Sequence, residues 1–397
     1  MNGLSLVAQS IKTYFQLAKR KGIKFEQKNL SLRLKHSLKL LSGLLNTSSP
    51  IFGIIAITSR CPLSCWHCSL ERRNKGEPSL EQLKSIIHQL AEIGTLGYVI
   101  TGGEPFLRDD LAEIVKTVPR LSPVFIYSSG VGLKEKVAQQ LAKFSNLVVV
   151  LSVDHLDPKI HNQRRGSERA WDWVFQAKEI LERYQVPVHI TTVITRDRIW
   201  SGEFEEFCIT VKEKWKVDFM QVFTPRPVGR LKSNPKEILS SKDHKEFRRL
   251  VLKIFPSKHT PFLACFPIIE SEEAMGCCGG FVRLYISPSG DFYPCDFNPL
   301  CFGNVFEEPI KNLWQKMHSY FYYPAEKCFI EKNWKKLEKY LKDGIVHFEQ
   351  ILSEPELKSP NSAFIYKHFG TITYRITISY LSLANVVWMT LKQSKII

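Results

Sequence analysis

The stretch that decides the fold is IFGIIAITSRCPLSCWHCSL, residues 51–70. It opens with a short, almost wholly apolar run (51–58), the signature of a parallel strand buried on both faces. Three thiols follow within eight residues: Cys61, Cys65 and Cys68, with Trp66 and His67 between the last two. A closed structural metal site takes four ligands. Three sulfurs therefore either borrow a fourth or leave one coordination position open.

The same strand-like pattern recurs downstream. Apolar runs at 97–101, 123–129, 147–153, 187–195 and 217–225 are separated by helical patterns at 78–94, 109–118, 134–144, 170–184 and 204–215. Ser79 and Gln82 have the spacing of a capping box, and Gly94 supplies the stop. Six strands alternating with helices predict an α/β fold, a partial (β/α)6 TIM-like barrel over residues 51–235. Active sites of such folds lie beyond the C-terminal strand ends. The cysteines follow the first strand, TGGEP (101–105) the second, and SVDH (152–155) ends the fourth.

Past residue 236 the alternation stops. A helix is expected at 241–256, and FVRLYISPSGDFYPC (281–295) reads as a β-hairpin turning at Ser289-Gly290-Asp291. Cys277, Cys278, Cys295 and Cys301 surround it. A helix near 308–320, Cys328 and a helix near 331–342 complete a Cys-rich module over residues 236–345.

The chain has 397 residues, ten cysteines and a formal charge of +16. Half of that excess sits in residues 1–50, where nine Lys or Arg face one acid, Glu26. Leu30, Leu34, Leu38, Leu41 and Leu45 make residues 30–45 a basic amphipathic helix. The tail, 346–397, ends in a region whose residues 376–391 are uncharged. Both features suit a helix packed on the body or peripheral membrane contact. No run reaches a transmembrane length. No secretory signal opens the sequence, so a cytoplasmic location is expected, with clustered thiols serving metal or catalysis rather than disulfides. The charge is not interleaved with aromatics in a recognisable RNA-binding motif, which argues against nucleic acid as partner.

Cys61-x3-Cys65-x2-Cys68 on the loop after the first strand, with GGEP and SVDHLDPKIHNQRRG downstream, resembles the radical S-adenosylmethionine (radical SAM) enzymes over roughly residues 50–345. The resemblance implies a [4Fe-4S] cluster held by those three cysteines, its fourth iron chelated by SAM. It implies reductive cleavage of SAM to a 5′-deoxyadenosyl radical that abstracts a substrate hydrogen, with a flavodoxin- or ferredoxin-like electron donor. By the same resemblance Gly102, Gly103 and Glu104 hold the methionyl amine, and Ser152 and Arg165 contact SAM. Asp154 serves the ribose or the local structure, and His67 lies near the adenine. TPRPVGR (224–230) matches a frequent sixth-strand ending without an assigned role.

The second module is similar to the auxiliary-cluster (SPASM or twitch) domain: Cys277, twelve residues, Gly290, four residues, Cys295. Gly276-Cys277 fits better than Cys278 as its start, Cys328 fits its later cysteine, and Cys301 is expected as a further ligand. The longer Cys-x2-Cys-x5-Cys-x3-Cys run is missing, so one auxiliary cluster is expected. Cys208 and Cys265 read as packed small hydrophobes. The alternatives are a zinc site completed by His67, a non-catalytic iron–sulfur scaffold, and a tRNA-modifying enzyme. Glu104, Ser152 and Arg165 argue against a scaffold. The substrate stays open among a peptide or protein, a small molecule and a lipid precursor.

Overall fold

The computed structural model describes residues 48–70, 77–232, 234–255, 257–354 and 357. The helix expected at 30–45 and the uncharged run at 376–391 lie outside the described residues.

The apolar run at the start of the opening stretch is β1 (Phe52–Ala56). It is followed by α1 (Leu80–Glu92), β2 (Gly97–Thr101), α2 (Leu111–Thr117), β3 (Val124–Ser128), α3 (Glu135–Leu141) and β4 (Leu147–Ser152). Next come α4 (Pro158–Arg165), α5 (Ala170–Arg183), β5 (Val188–Val193), α6 (Arg196–Ser201), α7 (Glu203–Glu213) and β6 (Phe219–Phe223). The six strands pair in chain order and all run parallel, as the alternation predicts. Ile55, Ile100, Ile126 and Val149 face the helices, while Phe125, Val148 and Val150 form a separate cluster on the other side. Burial on both faces is why the strands read as continuous apolar runs. The Ser79–Gln82 capping box at α1 is formed, with both bonds in place at 2.8 and 3.2 Å.

Two helices had no apolar period to announce them. In α4 only His161 and Arg165 are buried, and the helix is set by its ends. Asp157 caps its start by accepting from the Lys159 amide at 2.8 Å, and Gly166, at φ 67°, closes it. Short α6 likewise buries only Arg198 and Ile199.

After α8 (Ser241–Ile254), β7 (Phe262–Cys265) pairs with β6, so the sheet continues past residue 235. The hairpin, β8 (Arg283–Ile286) and β9 (Phe292–Tyr293), turns at Gly290 as expected but is not a detached module. β8 lies parallel to β1, with Phe52 opposite Arg283 and Ile55 opposite Ile286. The sheet order is β7-β6-β5-β4-β3-β2-β1-β8-β9. A barrel left open exposes the unpaired backbone of its first strand, and β8 satisfies that edge. A two-stranded sheet of β10 (Leu300–Cys301) and β11 (Val346–His347) and the helices α9 (Ile310–Tyr320) and α10 (Phe329–Leu337) complete the C-terminal part. No helix among the described residues is long and apolar enough to cross a membrane.

Candidate active site

The cysteine loop leaves β1 at the C-terminal end of the sheet and is held from three sides by backbone. Gly103 N donates to Thr58 O at 2.7 Å and Glu104 N to Arg60 O at 2.8 Å. A Cβ on Gly103 would fall 2.1 Å from Arg60 O, so only glycine allows this approach. From the end of α4, the carbonyls of Arg165 and Arg164 accept from Ser64 N and Trp66 N, each at 3.0 Å. The third clamp is the segment after β6. Arg230 N donates to Cys68 O at 3.1 Å, and its guanidinium to Cys65 O at 3.2 Å. Gly229, at φ 56°, is pressed so close that a Cβ would lie 2.1 Å from Cys68 O. This gives TPRPVGR the role its pattern did not reveal.

The loop borders a cavity of about 240 Å³. Cys61, Cys65, Cys68, His67, Gly102, Gly103, Ser152, Asp154 and Arg165 all line it. The three thiols are half-buried neighbours: burial pushes Cys61 up to about 11, and Glu104, Cys65 and Cys68 add to the shift. Three crowded thiols need a strong cationic centre to ionise together, and iron provides one. The donor set therefore fits a cluster.

Arg165 Nε lies 2.7 Å from Asp154 Oδ2, and its Nη1 lies 3.8 Å from the Cys65 sulfur. Asp154 is fully buried; burial would raise its carboxyl, but the Arg165 guanidinium holds it well below the usual range. Its other oxygen accepts from Val193 N at 3.3 Å. His67 is pushed down to about 4 by burial, and its Nδ1 has no hydrogen-bond partner among the described residues. It presents a neutral ring to the cavity at pH 7.

Glu104 sits one layer behind the wall that was expected to carry it. It is 1% exposed, and Gly102 and Gly103, not Glu104, border the cavity. Its carboxylate accepts from Phe106 N at 3.1 Å, Ser128 Oγ at 2.7 Å, Ser129 N at 2.8 Å and Ser129 Oγ at 2.5 Å. Burial raises its carboxyl in spite of these donors.

The auxiliary cysteines divide. Cys277 is fixed by paired backbone bonds with Ala325, at 2.7 and 3.2 Å. Cys328 is pushed up by its thiol hydrogen bond with Cys277, then by burial. Burial pushes Cys295 up to about 12, with Cys328 among its neighbours. Cys278 also neighbours Cys295 and lies 3.7 Å from Glu270 Oε1. Cys301, expected as a further ligand, stands apart. Its thiol donates to Gly303 O at 3.3 Å, and its charged neighbours are Asp291 and Glu349, with no thiol among them. Pairing of β10 with β11 holds it there, packed with Tyr285 and Tyr293.

Several residues were given no individual role by their sequence patterns. Arg226, buried after β6, pairs with Glu331 on α10 and lies 3.9 Å from Glu270, close to Cys328 and Cys277. Arg283 pairs with Glu270 at 3.1 Å. Asp296, directly after Cys295, has its carboxyl raised by burial and lines the 240 Å³ cavity. Only the topology, by bringing β8 beside β1, places it there.

The family model of the radical SAM superfamily matches residues 55–201, and that of the iron–sulfur cluster-binding SPASM domain matches residues 277–335. An AdoMet-dependent heme synthase of Oleidesulfovibrio alaskensis is 25% identical over 301 residues, 68% of this chain and 76% of the relative. The antilisterial bacteriocin subtilosin biosynthesis protein AlbA of Bacillus subtilis is 24% identical over 308 residues, 71% of this chain and 65% of the relative. Streptococcus suis SuiB bound to S-adenosylmethionine shares the fold with a TM-score of 0.58, at 18% identity over 85% of this chain and 86% of that one. SuiB is also known bound to its precursor peptide SuiA. The cofactors are [4Fe-4S] clusters and S-adenosylmethionine. The chain thus belongs to the radical SAM superfamily, as an enzyme with a C-terminal SPASM-type iron–sulfur domain.

Proposed function

We propose that the cavity beside the cysteine loop is where this chain cleaves SAM and abstracts hydrogen from a substrate. The cluster held by Cys61, Cys65 and Cys68, once bound, supplies the electron that converts SAM to methionine and a 5′-deoxyadenosyl radical. The observation that carries the reading is the convergence on one 240 Å³ cavity of those thiols, the Gly102–Gly103 edge, Ser152 and Arg165.

The residues have separable tasks. Arg165, oriented by Asp154, offers a guanidinium to a carboxylate. The Gly102–Gly103 edge receives an ammonium, with the Glu104 carboxyl, held by Phe106 N, Ser128 and Ser129, behind it. His67 offers a neutral ring to a base. Residues 51–235 form the SAM-cleaving unit and 236–345 the auxiliary unit, with Cys277, Cys295 and Cys328 as cluster ligands. A flavodoxin- or ferredoxin-like protein supplies the electron. A peptide substrate is favoured over a small molecule by one observation, the peptide-bound relative of the same fold.

Anaerobic reconstitution followed by SAM and dithionite tests this. About eight iron atoms per chain and 5′-deoxyadenosine are expected, from two four-iron clusters. The Cys61→Ala/Cys65→Ala/Cys68→Ala variant should keep about four iron and lose cleavage. Persistent cleavage in that variant overturns the reading.

A further inference from the structure

We infer that Arg226 is a positioning residue for the auxiliary cluster: its buried guanidinium, locked on Glu331, anchors the helix that begins at Cys328 and favours the reduced state of the cluster. The inference rests on the reading that Cys277, Cys295 and Cys328 hold that cluster.

The segment after β6 touches both sets of cysteines. Its end, Gly229 and Arg230, clamps the loop that carries Cys65 and Cys68. Its middle places Arg226 beside Cys328 and Cys277. Arg226 stands between Pro225 and Pro227. Proline fixes its own φ and restricts the residue before it to extended backbone. Two prolines therefore leave this arginine little backbone freedom, and Val228 N donates to Arg226 O at 2.8 Å.

The side chain is 8% exposed and lines the 240 Å³ cavity. Its Nη1 pairs with Glu331, and its Nη2 lies 3.9 Å from Glu270. Glu331 is in the first turn of α10, and Cys328 stands at the N-cap of that helix. The Cys328 side chain makes no capping bond. A helix start without a side-chain cap is held by other contacts. The Arg226–Glu331 pair supplies one, and it ties the position of Cys328 to the end of β6.

Charge near a cluster is one of the levers on its reduction potential. Burial strengthens that lever, because the interior screens charge less than water does. Reduction adds one electron to the cluster, and a fixed guanidinium beside two of its ligands stabilises the added charge. The ionisable side chains that face Arg226 are Glu331, Glu270, Asp296 and His244. Burial pushes His244 down, so it is neutral at pH 7. Glu270 is shared with Arg283, at 3.1 Å. Loss of the Arg226 charge and loss of the Glu331 charge must therefore move the potential in opposite directions. A pair with a purely structural role behaves differently, since breaking it from either side disturbs the same contact.

The test is a redox titration of the reconstituted full chain under argon, with dithionite as reductant and electron paramagnetic resonance as readout. The auxiliary signal is the one that survives in the Cys61→Ala/Cys65→Ala/Cys68→Ala variant. Arg226→Gln should lower the reduced-to-oxidised ratio of this signal at least tenfold at a fixed potential, a midpoint about 59 mV lower. Arg226→Lys, which keeps the charge, should stay within threefold of wild type. Glu331→Gln should raise the ratio at least threefold. Release of auxiliary iron to a chelator should be at least threefold faster in Arg226→Gln and Glu331→Gln alike, since both break the anchor. If Arg226→Gln loses the cluster outright, Arg226→Lys must keep it and Glu331→Gln must still shift upward. An unmoved midpoint in a cluster-bearing Arg226→Gln, shifts of the same sign in Arg226→Gln and Glu331→Gln, or no rescue by Arg226→Lys overturns the inference. Iron release as slow as in wild type from both charge-removing variants overturns the anchor. No reducible cluster in the triple cysteine variant overturns the ligand assignment itself and this inference with it. A reducible cluster indifferent to Arg226 overturns the inference alone.

Discussion

Arg165 Nε stands 2.7 Å from Asp154 Oδ2 in a pair that is almost wholly out of solvent. The pair joins the end of β4 to the end of α4, and the same guanidinium reaches the Cys65 sulfur. A buried charge that loses its partner costs about 3–5 kcal/mol. Asp154→Ala should therefore lower unfolding stability by about that amount and weaken SAM binding more than tenfold. Urea denaturation and equilibrium dialysis check both; wild-type values in both would show that the pair positions nothing.

Gly229 tests the third clamp on the cysteine loop. A Cβ there would fall 2.1 Å from Cys68 O, against backbone that cannot step aside without moving the loop. Gly229→Ala should lose the cluster on the loop, cutting iron from about eight to about four atoms per chain. Arg230→Ala, at an exposed position, should keep its iron and show only faster loss of it under a chelator. Full, stable iron loading in Gly229→Ala would count against the clamp.

Cys301 and Cys328 predict opposite outcomes. Cys328 is hydrogen-bonded with the Cys277 thiol, whereas, after burial, the groups that most shift Cys301 among the described residues are Asp291, Glu349 and backbone, not thiols. Cys301→Ala should keep the full iron content. Cys328→Ala should lose or degrade the auxiliary cluster, seen as missing intensity in the Mössbauer spectrum. Equal iron loss in both variants would restore Cys301 to the ligand set.

His161 sets an acid-sensitive window. Burial pushes it from 6.5 down to about 4, and its Nδ1 accepts from Asp154 N at 3.2 Å, which requires the neutral ring. Between those two values the unfolded chain takes up a proton that the folded chain refuses. Stability therefore falls as pH drops from 6.5 to 4. His161→Gln should flatten that part of the pH–stability curve, and an unchanged slope would reject the assignment.

Much of this was legible in the residues. The six parallel strands were readable because double burial writes each as an apolar run, and the cysteine spacing marked the loop. α4 was invisible because its helix is made by end caps and ion pairs, without an apolar stripe. The union of β8 with β1 was invisible because a strand pairing across more than two hundred residues leaves no local pattern. That union is what carries Asp296 to the cavity and Arg283 beside Cys295. Glu104 and Cys301 show the remaining gap. Spacing named the residues, but only packing shows that one lies behind the wall and the other on a separate sheet.

The central claim is that the three-thiol cluster keeps a position open for SAM. Electron paramagnetic resonance of the dithionite-reduced protein, with and without SAM, tests it most directly. The account predicts two overlapping cluster signals, of which SAM shifts one, and that this one is absent from the Cys61→Ala/Cys65→Ala/Cys68→Ala variant. A spectrum that SAM leaves unaltered, or a SAM-responsive signal that survives in the triple variant, would contradict it.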